Sequence, residues 1–189
     1  MNVPLTHAAE GLERRAFTVR DVIRMVETGV LGRDERFELI GGEIVPMSPK
    51  GIRHERLKTW LNLYLARNLP DSVLMTQETT LKLSENTFTE PDFVIYPRES
   101  GLENLSPETC LLAIEIADSS LSYDLGRKAQ LYAEFVIAEL WVIDVNAMTV
   151  TCHGRPAAEG YGTVETLDRQ SVLRPANIAG FEISLSEYA

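Results

Sequence analysis

The chain has 189 residues and a mass of 21.1 kDa, with 44% hydrophobic and 24% charged residues, a globular balance that excludes wholesale disorder. A net charge of −10 and a pI of about 4.8 exclude attraction of the whole surface to nucleic-acid phosphates. No run of ~18 apolar residues offers a membrane span, Glu10 and Glu13 argue against a secretory leader, and Cys110 and Cys152 are too few for a disulfide framework or a four-cysteine zinc site, so the default compartment is the cytoplasm.

In chain order, residues 1–17 read as a flexible N-terminal segment. Thr18 and Asp21 form a capping-box pair ahead of a short helix over Val19 to Thr28, which Gly29 stops. Phe37 to Ile40, Gly41-Gly42 and Glu43 to Met47 spell a β-hairpin, and Pro46 places its second strand at a sheet edge. A helix over Arg53 to Leu69 aligns Leu57, Trp60, Leu61, Tyr64, Leu65 and Leu69 on one face and ends before Pro70. Three strand-like runs follow, Val73 to Leu83, Phe88 to Tyr96 and Cys110 to Ala117, the first two joined by a turn at Ser84 to Thr87. Asp124 is positioned as the N-cap of a second long helix reaching Ala138. Strands are then expected at Glu139 to Val145, Met148 to His153, Tyr161 to Leu167 and Ile178 to Leu185. The order implies an α/β or α+β fold, with one central mixed sheet flanked by helices in a single domain over residues 18–189.

Three residues break the apolar pattern. Asp92 follows Pro91 and opens an apolar strand, and Glu115 interrupts Leu111 to Ala117, a run apolar enough for a central strand. A carboxylate in such a place needs a cation, a donor or a proton. Taken singly, Asp92 reads as a strand-end turn residue, and Glu115 has a structural salt bridge or an edge position as the alternative to a functional place; the pair carries the functional reading. Lys128 sits inside the helical stripe formed by Leu125, Ala129, Tyr132, Phe135 and Val136, so it either snorkels out or meets a carboxylate, whereas Arg127 lies on a flank. Two carboxylates and a main-chain carbonyl make a hard-oxygen site for Mg²⁺ or Mn²⁺, and a nearby lysine suits phosphodiester hydrolysis. Arg53, Arg56, Lys58 and Arg67 make one helix the densest basic segment, either a DNA-facing surface or a solvated face. Two acids could also serve a glycoside hydrolase, but the in-stripe lysine and the 7% aromatic content argue against it.

Pro91-Asp92 with Glu115 on a later strand resembles the PD-(D/E)XK nuclease superfamily. Within it, residues 18–185 resemble the Uma-two family of restriction endonucleases. The matching stretches are Phe37 to Pro49 with His54, Pro91 to Ile95, Ala113 to Ile116, Tyr123 to Lys128 with Tyr132, and Glu139 to Asp144. The resemblance implies a restriction-endonuclease-like αβββαβ core with an extra N-terminal hairpin and extra C-terminal strands. It implies a Mg²⁺- or Mn²⁺-dependent endonuclease acting on DNA, with Asp92, Glu115 and the carbonyl of Ile116 as metal ligands. The superfamily's usual lysine position is Ala117, and the resemblance moves that role to Lys128. Glu43 and His54 match positions near the site; each also reads as a surface residue, His54 as a capping group as well. Ile116 to Leu121 departs from the family's usual segment at Asp118 and in lacking a proline, and strand alternation turns Asp118 away from Glu115. A homodimer framing one DNA groove is compatible with an acidic chain that carries a basic helix. The alternative is a catalytically silent member of the fold that binds DNA or a protein partner.

Overall fold

The computed structural model describes residues 5–7 and 13–188, with side chains from residue 14 onward. In chain order the elements are β1 (Leu5–His7), β2 (Glu13–Arg15), α1 (Val19–Glu27), β3 (Phe37–Ile40), β4 (Glu43–Pro46), α2 (Ile52–Asn68), β5 (Val73–Gln77), β6 (Leu81–Ser84), β7 (Thr87–Thr89), β8 (Phe93–Pro97) and β9 (Leu112–Ala117). They continue with α3 (Leu121–Tyr123), a π-helical turn over Asp124–Lys128, α4 (Ala129–Glu134), β10 (Glu139–Asp144), β11 (Thr149–Ala157) and β12 (Gly160–Leu167). The chain divides into two compact units, residues 1–48 with 80–90, and residues 49–79 with 91–189. The segment expected over residues 1–17 lies partly outside the described residues; within them β1 pairs antiparallel with β2.

The smaller unit carries a four-stranded sheet in the order β4-β3-β7-β6. Its hairpin turns at Gly41 and Gly42, with φ of 59° and 86°, the left-handed pair that a two-residue turn needs. Pro46 lies on β4, an edge strand, where its missing N–H costs no ladder bond. Thr18 and Asp21 cap α1 reciprocally. Val22, Phe37, Leu39 and Phe88 form this unit's core.

The larger unit holds α2, β5, β8, β9, α3–α4 and β10 in succession, the expected αβββαβ order, followed by β11 and β12. Its sheet runs β12-β11-β10-β9-β8-β5. The β9–β10 pair is parallel, bridged by the α3–α4 crossover, and the other pairs are antiparallel. Leu57, Leu61 and Leu65 of α2 pack against Phe93, Ile95, Leu112, Ile114 and Ile116. Because side chains alternate along a strand, Glu115 points to the other face of the sheet.

Four expectations fail locally. Val73 to Leu83 is two strands in different sheets, since Glu78 takes a left-handed φ of 47° between them. Phe88 to Tyr96 is likewise divided, around Glu90-Pro91-Asp92, because Pro91 cannot donate to a ladder. Ile178 to Leu185 forms no strand, and a single bridge joins Leu173 to Ile183. The second long helix begins at Leu121, so Asp124 is no cap but a buried residue of the π turn. A π turn adds a residue to the helical repeat. Asp124 therefore takes the buried face while Leu125 is 37% exposed; Val136, beyond the helix at φ 59°, is 62% exposed.

Candidate active site

The β8–β9 register pairs Phe93 with Ile114. Carried one residue further, it sets Asp92 opposite Glu115, at the end of the sheet where β8 starts and β9 finishes. Both carboxylates are only 4% exposed. The structure joins Asp92 to His54 and Glu115 to Lys128, each pair through a hydrogen bond.

Around Asp92 every contact is a donor. Oδ2 accepts from the Ile116 main-chain N–H at 2.8 Å and lies 3.1 Å from His54 Nε2, and Oδ1 accepts from Lys50 Nζ at 2.6 Å. Burial by itself would raise the Asp92 carboxyl, but His54 and Lys50 outweigh it and hold the group well below the usual carboxylate range. Lys50 also bonds Glu78, which accepts from Lys58 at 2.8 Å. Lys58 reaches Glu55 at 3.2 Å, and Glu55 returns to His54 Nδ1 at 3.2 Å. Six side chains from three segments so close a ring: Lys50, Glu78, Lys58, Glu55, His54 and Asp92.

Glu115 is held from the opposite face. Its Oε1 accepts from Lys128 Nζ at 2.9 Å and from the Tyr132 hydroxyl at 2.7 Å. Lys128 is 4% exposed, so its position in the helical stripe leads it to a carboxylate rather than outward to solvent. The π turn makes this geometry, since it ends at Lys128 and α4 then presents Tyr132 one helical turn on. Such insertions concentrate at functional sites. Arg127 is exposed, as expected for a flank.

Glu43 is exposed on β4 of the smaller unit and takes no part in this cluster. Asp118 is a loop residue whose carbonyl accepts from Asn146 Nδ2 at 3.1 Å. The basic helix is not one basic face. At ~100° per residue Lys58 points roughly opposite to Arg56 and Arg67, and it is spent in the ring. Arg53, Arg56 and Arg67 are exposed, with Arg53 donating to Asn146 Oδ1 at 2.6 Å. Lys50 and Glu78 were missed in the sequence. Lys50 follows a proline outside any periodic run, and Glu78 reads as one more residue of a strand. The one available signal was a charged residue on either side of a helix that also carries His54.

The ring makes stability depend on acid. The Glu78 carboxyl, despite the burial that raises it, is lowered from 4.5 to about 2 by Lys50 and Lys58, and Asp92 is displaced the same way. A group depressed on folding stabilises above its unfolded value and loses that contribution as pH falls through its folded value. Lys58 shifts upward, its carboxylate partners outweighing burial, so its contribution is lost only in strong base. Melting temperature should stay level near neutrality and fall between about pH 4 and pH 2. The Glu78→Gln variant should show a shallower acid limb. A wild-type melting temperature unchanged down to about pH 2.5 would contradict the ring.

Two carboxylates, one just ahead of β8 and one on the neighbouring strand β9, are a hard-oxygen set of the kind that fits Mg²⁺ or Mn²⁺. The fit is supported by Asp92, a buried carboxylate held ionised among the Lys50 ammonium, the His54 ring and the Ile116 N–H. Among the described residues no three His, Cys, Asp or Glu side chains are grouped as a self-sufficient metal cluster, so the set would need a main-chain oxygen as well.

The model of the Uma2 family, described as "Putative restriction endonuclease", matches residues 22–186. The chain belongs to the Uma2 family. Among solved structures it is similar to one titled "a putative nuclease belonging to DUF820 from Anabaena variabilis ATCC 29413", at 14% identity and a TM-score of 0.72, over 90% of this chain and 96% of that one. At that identity the likeness establishes the restriction-endonuclease-like fold. No curated protein matches the chain. The Uma2 match runs through both compact units. Among the described residues no helix is long and apolar enough to cross a membrane.

Proposed function

We propose that this Uma2-family chain is a cytoplasmic endonuclease that hydrolyses DNA phosphodiester bonds with Mg²⁺ or Mn²⁺, its two units together forming one nuclease domain over residues 18–189. The observation that carries the reading is the burial of Asp92, one residue ahead of β8, and of Glu115 on the neighbouring β9, with Lys128 bonded to Glu115. Asp92, Glu115 and the Ile116 carbonyl would hold the ion. A strand residue turns its N–H and its C=O toward the same neighbour, and the Ile116 N–H goes to Asp92. The ion would polarise the scissile phosphate and acidify an attacking water. Lys128 fixes Glu115 and keeps a positive charge where negative charge develops on the phosphate. Tyr132 restricts Glu115 to one orientation, and His54 does the same for Asp92.

A second reading, a catalytically silent fold that binds DNA or a protein, draws on the cationic partner each acid already has, Lys50 or Lys128. Plasmid nicking separates the two. Cleavage should require Mg²⁺ or Mn²⁺, stop in EDTA and weaken steeply with salt as phosphate contacts are lost. Replacing Arg53, Arg56 and Arg67 together by Gln should flatten the salt slope by up to about three contacts' worth, whereas Lys58→Gln should act on stability. DNA binding without cleavage under every metal condition would favour the silent fold. A homodimer would let two such sites address both strands.

A further inference from the structure

Lys50 lies outside every motif that carries the family likeness, yet it makes one of the shortest contacts in the site. Its ammonium bridges Asp92 Oδ1, at 2.6 Å, and Glu78. The bridge is built rather than incidental. Lys50 is only 14% exposed in its side chain, and Glu78 holds a left-handed φ of 47°. The Glu78 N–H is shared by the carbonyls of Pro91 and Asp92 at 3.1 and 3.3 Å, so the chain around Asp92 positions the acid that receives Lys50. A non-glycine residue keeps that conformation only when its surroundings impose it. Glu78 is further fixed by Lys58.

We propose that Lys50 is a built-in competitor for the divalent ion, occupying Asp92 when the ion is absent and retiring to Glu78 when it binds. This rests on the proposed role of Asp92 as a metal ligand. A buried carboxylate without a cation is costly. Lys50 supplies that cation in the metal-free protein, and Glu78 gives the ammonium somewhere to go without leaving the site. The exchange keeps the charge around Asp92 balanced in both states. It also raises the ion concentration needed to fill the site.

Calorimetric titration of Mn²⁺ into wild type, Lys50→Met and Lys58→Met tests the exchange. Lys58→Met removes a positive charge from Glu78 without touching Asp92, so it controls for general electrostatics. Lys50→Met should bind Mn²⁺ about tenfold more tightly than wild type, the worth of one charge-assisted hydrogen bond, and Lys58→Met should change affinity far less. Lys50→Met should also melt lower than wild type in EDTA and recover more of that loss on adding Mn²⁺. Equal or weaker binding by Lys50→Met, or equal gains in both variants, would overturn the competitor role while leaving Asp92 as a ligand. No Mn²⁺ binding in any of the three proteins would overturn the metal site itself, and the competitor with it.

Discussion

Replacing Lys128 by Met should lower DNA cleavage by about 10²–10³-fold, the scale seen when one preorganised charge is removed from a transition-state site. The same substitution should cost stability. Lys128 and Glu115 form an ion pair with both side chains 5% exposed, and removing one member of such a pair leaves a buried charge that costs about 3–5 kcal/mol. The Tyr132 hydroxyl, 2.7 Å from Glu115 Oε1, offsets part of that loss. Pairing Lys128→Met with Glu115→Gln removes both charges, so urea unfolding should show most of the lost stability recovered. Cleavage should not return. If the double variant regained both stability and activity, the pair would be a structural bridge and the lysine's catalytic role would fall. Wild-type turnover in Lys128→Met would have the same force.

Asp92→Asn should be the most damaging single change to function, lowering cleavage by roughly 10³-fold or more. The asparagine carbonyl can still accept from the Ile116 N–H, so the end of β8 should stay in place. Its amide NH₂ then takes the place of Oδ1 and meets the Lys50 ammonium, a donor that now lacks a counter-charge. A fall in melting temperature should accompany the loss of ion binding, but without unfolding at room temperature. Far-UV circular dichroism would separate that outcome from collapse of the fold.

Much of this architecture is written in local patterns. The α2 stripe of Leu57, Leu61 and Leu65 has helical spacing and packs as that spacing requires, and the double-glycine turn permits one hairpin geometry. Asp92 and Glu115 are legible for the opposite reason, since each breaks an apolar run and a buried charge must have a partner. The π turn was not legible, because an added residue in a helix leaves no mark in composition; it displaced Leu125 and brought Asp124 inward. Nor was the split at Glu78. Its left-handed backbone is imposed by the carbonyls of Pro91 and Asp92, contacts 13 and 14 residues away along the chain that no window on either strand contains. The ring through Lys50, Glu78, Lys58 and Glu55 escaped for the same cause: it is assembled by three segments and specified by none of them alone. Lys58 shows the cost of reading charge by density. It was counted with Arg53, Arg56 and Arg67 because it shares their helix, yet it faces another way and is neutralised.

The central claim is that Asp92 and Glu115 jointly hold a divalent ion. Titration of Mn²⁺ into wild type and Asp92→Asn by isothermal calorimetry tests it before any substrate is chosen. Wild type should give saturable heat from one site, and Asp92→Asn should lose that site while remaining folded. Equal binding by the two proteins, or no saturable heat from wild type at millimolar Mn²⁺, would contradict it.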